Sequence, residues 1–251
     1  MGFLWHVFLI LALLCGCSTT QDTQIYDVDD EFSLNEPDPL EPFNRGVYGF
    51  NRMIDAVVLK PVAIGYDLGV PEGVKYCTKS FIKNVYSPIN VVNRLLQGNG
   101  ENAAKTTLRF VLNTTFGLFG LLDFAEFIGI GHQPTSFNET LATWGVESGP
   151  YIMLPIVGPT TFRGGYGYAF DWLADPMRIL AATSHSSINR DRQLSRWYFG
   201  VTALDVISIR AGLLDSLDDI YATSLDSYAT IRSIIFQRQQ KMDDELKKGK
   251  Q

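Results

Sequence analysis

The sequence predicts a mainly α fold: a bundle of amphipathic helices interrupted by one Gly/Pro-rich segment of irregular or hairpin character. Three observations carry this expectation. In several long stretches apolar residues recur at alternating spacings of three and four, the period of a single helix face. From Gly145 to Gly167, GVESGPYIMLPIVGPTTFRGGYG, the texture changes to closely spaced Gly and Pro, with apolar runs too short for a helix. The chain is also rich in aromatics, with 16 Phe, 11 Tyr and 4 Trp, and many of these lie on stretches whose other faces carry amides and charges.

The chain has 251 residues, 46% of them hydrophobic and 19% charged, enough for one sizeable core or two small ones, with one domain the default expectation. A formal net charge of -6, with no basic stripe, argues against a nucleic-acid groove, which needs clustered Lys and Arg to neutralise phosphates.

The first residues, MGFLWHVFLILALLCGC, read as an export signal, with an apolar core from Val7 to Leu14 that is too short to span a bilayer. Leu14-Cys15-Gly16-Cys17 resembles the bacterial lipoprotein box, so residues 1–16 are expected to be cleaved and Cys17 lipidated. Several acyl chains, palmitate among them, would make that anchor effectively permanent. Ser18 stands where an Asp would suggest inner-membrane retention, so an outer-membrane destination is expected. Residues 17–37 then form a flexible acidic tether, with Asp27, Asp29, Asp30 and Glu31 and no apolar period.

Order is expected to begin at Asp38. Asp38 and Glu41 have capping-box spacing, and Pro39 suits a first helical position. Phe43, Val47, Phe50, Ile54 and Val57 form one apolar stripe, which Pro61 is expected to end. Beside it run Asn44, Tyr48, Asn51 and Asp55. A second helix uses Val74, Thr78, Phe81 and Val85, with Lys75, Lys79 and Lys83 close by, and is expected to break at Pro88. INVVNRLLQ stops at Gly98, and ENAAKTTLRFVLNTT is the next helical candidate. Helical periodicity resumes at Phe170. The last helix is expected to run through DIYATSLDSYATIRSIIFQRQQ with Tyr221, Leu225, Tyr228, Ile231 and Ile235 on one face, and residues 241–251 to form a polar tail.

Between the third helix and the Gly/Pro segment lies FGLFGLLDFAEFIGIG, Phe116 to Gly131, a very apolar run that contains Asp123 and Glu126. As a helix it would be about 24 Å long, short of the ~30 Å hydrocarbon core of a bilayer. It is expected to be a wall segment at a membrane surface, with Gly117 and Gly120 permitting close packing. Asp123 is expected either to face polar headgroups or to serve as an internal cap.

A search for chemistry finds little. No G-x-S-x-G, H-E-x-x-H, G-x-x-x-x-G-K-[ST] or paired Cys-x-x-Cys motif is present. His132 lies in a Gly-His-Gln-Pro turn and reads as a solvated loop histidine; His185, in THSS, is similar. Cys77 reads as a small core residue. Asp123 and Glu126, one helical turn apart, could do acid–base work, but one helix face does not flank a sugar from both sides. The amphipathic stripes fit two arrangements: a water-soluble bundle with its apolar faces inward, or a lipid-anchored protein with apolar side chains outward to acyl chains. Periodicity alone does not separate them.

Six ordered blocks resemble the MlaA (VacJ) family of outer-membrane lipoproteins over residues 38–240. They are DPLEPFNR at Asp38–Arg45, FN at Phe50–Asn51, KPVAIGY at Lys60–Tyr66, NVVNRLLQG at Asn90–Gly98, RFVLNTTFGLFGLLDFA at Arg109–Ala125, and TLATWGVESGPYIMLPIVGPTTFR at Thr140–Arg163. Family members often place Asp after that last Arg, where this chain has Gly164.

The resemblance implies a ring-like bundle of amphipathic helices seated in one leaflet of the outer membrane of a Gram-negative bacterium. It would be lipid-anchored on the periplasmic side, with an amphipathic channel that removes mislocalised phospholipid from the outer leaflet. It implies transfer to a periplasmic lipid carrier, association with a trimeric porin, no cofactor or metal, no nucleic acid and no enzymatic activity. Candidate channel or headgroup-facing residues are Asn44, Asn51, Asp55, Asn113, Asp123 and Glu126. Candidate membrane-facing residues are Phe116, Phe119, Phe124 and Phe127. The competing readings are a structural adaptor that organises porins without moving lipid, and a cell-wall hydrolase using Asp123 and Glu126.

Overall fold

The computed structural model of the chain describes residues 38–175, 178–179 and 188–248, with backbone alone at 188–195. The expected signal, Cys17 and the tether, like His185, lie outside the described residues. The fold is mainly α, with one two-stranded antiparallel sheet.

Helix α1, Glu41–Ile54, begins two residues later than the capping-box spacing implies. Asp38 does not cap it. Its side chain is fully buried, and Oδ1 accepts from Leu40 N at 3.1 Å and Asn44 Nδ2 at 3.0 Å, while Oδ2 accepts from the Tyr228 hydroxyl. Pro42, not Pro39, occupies the first turn, where no N–H is needed. Pro61 does not end the helical path either. A π-helical turn, Asp55–Leu59, precedes α2, Lys60–Gly69, and Lys60 N bonds to Asp55 O. The wider turn relieves the clash between a proline ring and the carbonyl four residues back.

Helix α3, Glu72–Leu96, runs straight through Pro88. Burial on several sides, including Val85, Ser87, Ile89 and Asn90, outweighs the roughly 3 kcal/mol that an internal proline costs. Gly98, at φ 74°, follows its end in the left-handed conformation that glycine tolerates. Helix α4, Gly100–Thr115, is capped by the Asn99 side chain, which accepts from Asn102 N at 3.1 Å.

The apolar run from Phe116 is not a helix. Only α5, Phe124–Phe127, is helical within it, and Leu118, Phe119 and Gly120 take φ values of 53°, 61° and 93°. Helix α6, Phe137–Thr143, precedes the hairpin of β1, Tyr151–Leu154, and β2, Gly158–Thr161, in which Tyr151 pairs with Thr161 and Leu154 with Gly158. Helix α7, Phe162–Ala174, begins eight residues before Phe170. Its glycines serve packing rather than turning: a Cβ on Gly167 would lie 2.5 Å from Asn138 N, and one on Gly164 would lie 2.3 Å from Thr160 Oγ1. Gly164 therefore leaves room for the Thr160 side chain, which any Cβ at this position would crowd.

Helix α8, Ile188–Gly212, is followed by two helices where one was expected: α9, Leu214–Thr223, and α10, Ser227–Lys248. Asp226 makes the break, its Oδ1 accepting from Tyr228 N and Ala229 N at 3.1 and 3.2 Å, which leaves Leu225 fully exposed. The polar end expected from Lys241 stays helical to Lys248, because Asp243 reaches back to Arg163.

The chain divides into two compact units. One comprises Val62–Pro134 and described residues of Asp175–Ala211, with a small core of Ile82, Val85 and Val201 flanked by Phe81, Tyr86 and Leu204. The other comprises residues 38–61, Thr135–Ala174 and 212–248, with a core of Tyr151, Met153 and Tyr228 flanked by Val47, Tyr48, Ile235 and Phe236.

In this second unit α1 turns its polar stripe toward the protein. Asn44, with no exposed surface, donates through Nδ2 to Tyr151 O at 3.2 Å and accepts at Oδ1 from Met153 N at 2.9 Å. Asn51 spans the hairpin in the same way, donating to Leu154 O at 2.9 Å and accepting from Ile156 N at 2.8 Å. Two amides of one helix face thus bond backbone groups of β1 and of the turn that follows it. Asn44→Ala would leave a buried backbone N–H and C=O without partners, at about 1–3 kcal/mol. We expect a lower thermal unfolding midpoint by circular dichroism, and a smaller loss for Asn51→Ala, whose surroundings are more open.

Candidate functional site

Two features of the fold set apolar surface outward. The first is α1 and the π turn: Phe43, Phe50, Met53, Val57 and Val58 are exposed, Val57 by 70%, while Val47 of the same stripe packs on the hairpin core. The second, in the other unit, is the loop from Phe116, where Phe116, Leu118 and Phe119 are 65%, 48% and 76% exposed. Phe127 and Ile128 of α5 continue that surface, and Phe124 is half-buried against Phe116 at 5.4 Å between ring centroids.

The loop's shape is imposed from beneath. Arg109 of α4 is buried, and its Nη2 donates to both oxygens of Asp123 at 2.9 and 2.7 Å. Its Nη1 donates to the Ile130 carbonyl and lies 3.6 Å from the Glu126 carboxylate. Asn113, one turn along α4, donates to Asp123 Oδ1 at 3.0 Å and accepts from Ala125 N at 2.9 Å. Asp123 is also the N-cap of α5, accepting from Glu126 N at 3.1 Å. One guanidinium therefore fixes both ends of the segment from Asp123 to Ile130.

Between these anchors the backbone folds tightly. Gly120 N donates to Asn113 O at 2.8 Å and Leu122 N to Gly117 O at 2.9 Å. A Cβ on Gly117 would meet Leu122 O at 2.2 Å, and one on Gly120 would meet the Asn84 side chain at 2.5 Å. Leu118 and Phe119 take the positive φ left to them, a conformation that costs on the order of 1–3 kcal/mol for residues of this kind. The outcome is a tightly folded loop that holds large apolar side chains exposed.

Of the polar candidates read from the sequence, the fold brings Asn113 and Asp123 into direct contact, with Glu126 joined to them through Arg109. Asn44 and Asn51 meet the hairpin instead, and Asp55 is half-buried in the π turn. Asp123 takes the internal-cap alternative. Its carboxylate is consumed by Arg109, Asn113 and a backbone N–H, so Asp123 and Glu126 do not present a pair of open carboxylates. Phe116, Phe119 and Phe127 are exposed, and Phe124 is half-buried.

Sequence reasoning missed the role of Arg109. The signal was an arginine on an apolar helix one block before an aspartate, a charge that needs a partner wherever that helix packs. It also missed Arg163, which is buried and donates to Asn138 Oδ1 at 3.0 Å, Val146 O at 2.6 Å and Asp243. His132 departs from a solvated loop residue. It is half-buried, and burial first, then Lys83 and Arg109, push its imidazole down to about 4, so it is neutral at pH 7. Among the described residues no single helix is long and apolar enough to cross a membrane.

A model of the MlaA lipoprotein family matches residues 36–242. The chain is 34% identical over 244 residues to an uncharacterized protein of Rickettsia bellii (strain RML369-C), covering 92% of this chain and 91% of that one. It is 32% identical over 237 residues to the intermembrane phospholipid transport system lipoprotein MlaA of Escherichia coli (strain K12), covering 90% of this chain and 82% of the relative. A solved structure described as "Structural basis for maintenance of bacterial outer membrane lipid asymmetry" superposes with a TM-score of 0.67 at 32% identity, covering 83% of this chain and all of that one.

Two outcomes follow from the buried cluster. Asp123→Asn leaves Arg109 without its counter-charge, and breaking a buried pair from one side costs about 3–5 kcal/mol. We expect a lower unfolding midpoint, with protease cleavage appearing between Phe116 and Ile130. His132 takes up a proton more readily when unfolded, near pH 6.5, than when folded. Between about pH 6.5 and 4 the unfolded state therefore binds the extra proton, and stability falls as pH drops through that window. Chemical denaturation across the window should show this slope, and His132→Gln should flatten it.

Proposed function

The chain belongs to the MlaA lipoprotein family, and on that premise we propose that it is an outer-membrane lipoprotein that withdraws mislocalised phospholipid from the outer leaflet. It hands the lipid to a periplasmic carrier and so maintains lipid asymmetry. In this reading Cys17 carries the lipid anchor, the helices form a ring with an amphipathic channel in one leaflet, and a trimeric porin is the neighbour in the membrane.

The observation that carries the reading is the inverted amphipathicity of α1. Its amides face the protein and its large apolar residues face out. A water-soluble bundle would bury that stripe, because each fully buried Phe, Val or Met contributes about 1.5–3 kcal/mol. Outward apolar side chains are stable where the surroundings are acyl chains. We assign Phe116, Phe119, Phe124 and Phe127 to a lipid-facing surface of the other unit. Asp55 and Glu126 keep accessible polar surface for headgroups, whereas Asn44, Asn51, Asn113 and Asp123 hold the walls that carry it. Transfer needs binding and release rather than bond chemistry, so the protein acts as a conduit and not an enzyme.

The test uses the full chain with its anchor. Phospholipid should co-isolate with the purified protein, detected by mass spectrometry, and cells lacking it should display phospholipid at their surface. A protein that brings down no phospholipid, from cells whose surface is unchanged by its loss, would sink the proposal. If porin association alone persists in that case, the adaptor reading takes its place.

A further inference from the structure

Helices α3 and α8 pack side by side within one unit. Val201 sits on Ile82 and Val85, and the Trp197 ring meets Phe81 edge-on at 6.3 Å between centroids. Elsewhere on α8, Phe199, Val206 and Ile209 are exposed. Asp205 stands at the border between these faces: at 100° per residue it lies about 40° from Val201 on one side and about 40° from Ile209 on the other. Its side chain is accordingly half-buried.

A carboxylate drawn partly out of water ordinarily meets a cation, and in this chain Asp38, Asp123 and Asp243 meet Arg232, Arg109 and Arg163. Asp205 has no Lys or Arg beside it among the described residues; its neighbour is the Tyr86 hydroxyl of α3, which also lies within hydrogen-bonding reach of Thr202. Ser208, one turn beyond Asp205 on the same side of α8, adds an independent sign. It is 4% exposed, and its Oγ has no hydrogen-bond partner among the described residues. Hydroxyls inside helices commonly donate to the carbonyl four residues back, as Ser87, Thr106 and Thr202 do here at 2.8 to 3.0 Å. Ser208 makes no such bond, and a buried hydroxyl left unpaired is destabilising unless a ligand completes it.

We propose that Asp205, Ser208, Thr202 and Tyr86 form a subsite for the primary ammonium of a zwitterionic phospholipid headgroup. The donor set selects this ligand. Asp205 supplies one negative charge, and the three hydroxyls supply neutral oxygens; the Thr202 hydrogen is already spent on Tyr198 O at 3.0 Å, so that oxygen can only accept. Oxygens carrying a single charge suit a monocation with three N–H donors. A phosphate would be repelled by Asp205, and a divalent metal ion draws on several carboxylates, whereas no group of three metal-ligating side chains occurs among the described residues. Val206 and Ile209 border the site with exposed apolar surface, which a ligand bearing acyl chains requires and a free amine does not. This inference rests on the lipid-transfer reading and names a headgroup chemistry together with the residue that selects it.

The experiment purifies the full lipidated chain in detergent with equal amounts of phosphatidylethanolamine and phosphatidylglycerol, and quantifies the retained lipids by mass spectrometry. The retained ratio of phosphatidylethanolamine to phosphatidylglycerol should fall about fivefold in Asp205→Asn, and by less in Ser208→Ala. Asp205→Glu, which keeps the charge, should preserve most of the preference. Asp219→Asn, which removes an exposed carboxylate of α9, should leave the ratio unchanged. Phosphatidylethanolamine acylated on its nitrogen, which has no ammonium, should be retained by the unaltered protein no better than phosphatidylglycerol. Equal ratios for the unaltered protein and Asp205→Asn overturn the subsite, and Ser208→Ala supplies the same comparison if Asp205→Asn does not fold. Free ethanolamine bound by the unaltered protein and lost in Asp205→Asn, with no change in the lipid ratio, assigns the site to a soluble amine and overturns the headgroup. A protein that retains phospholipid without this preference fails the present inference alone. One that retains none fails the transfer reading.

Discussion

A guanidinium withdrawn from water must be met by an opposite charge and by acceptors for its N–H groups, and Arg109 is met by one short segment. Asp123 takes the charge, Ile130 O takes a further donor, and Asn113 on the same helix closes the gap between them. That constraint fixes where the chain must be at residues 123 and 130, and with it the start of α5. The seven residues before Asp123 link it to the end of α4 without forming a regular helix. They do so through Leu118 and Phe119 at positive φ and Gly120 wedged on Asn84. Strain in the loop and satisfaction at its base are two sides of one arrangement.

The second unit follows the same logic with different residues. Asn44 and Asn51 replace a third strand along the hairpin, and Asp38 gathers Asn44, Tyr228 and Arg232 into one buried cluster at the start of the described chain. Arg163 joins α7 to Asn138 of α6 and to Asp243 of α10, which is why a helix end that looks solvated in the sequence stays ordered. Among the buried described residues, polar and charged side chains outnumber apolar ones. Specific hydrogen bonds therefore do much of what an apolar core does elsewhere, and each one removed exposes a desolvated partner.

This distribution explains what the sequence could tell. The helix periods of α1, α3 and α4 were legible, as was the hairpin in the Gly/Pro segment, because local spacing and turn residues encode them. The facing of α1 was not, since a stripe of Phe43, Phe50 and Val57 looks the same whether it meets a core or acyl chains. Helix ends at Pro61 and Pro88 were misplaced because a π turn and tertiary burial override the local cost of proline. The loop at Phe116 read as a helix because Leu and Phe dominate its composition. Only its contact with Asn84 reveals that Gly120 needs a conformation without a Cβ. Arg109 and Arg163 find their partners 14 and 80 residues away, beyond the reach of local pattern.

The outward apolar residues then set an energetic condition on the fold. Ten large side chains on α1, the π turn, the Phe116 loop and α5 stand substantially exposed. In water, leaving them so forgoes stabilisation on the order of 10 kcal/mol, allowing for their partial burial, which is comparable with the whole stability of an ordinary domain. A chain selected for water would recover part of that by repacking, and α1 could do so only by rotating its amides away from the hairpin they hold. The hairpin bonds and the outward stripe are therefore coupled: the arrangement that satisfies β1 is the one that leaves the apolar stripe of α1 exposed. Under the proposed function acyl chains would cover that stripe, and they would equally cover the loop that Arg109 and Asp123 hold in place.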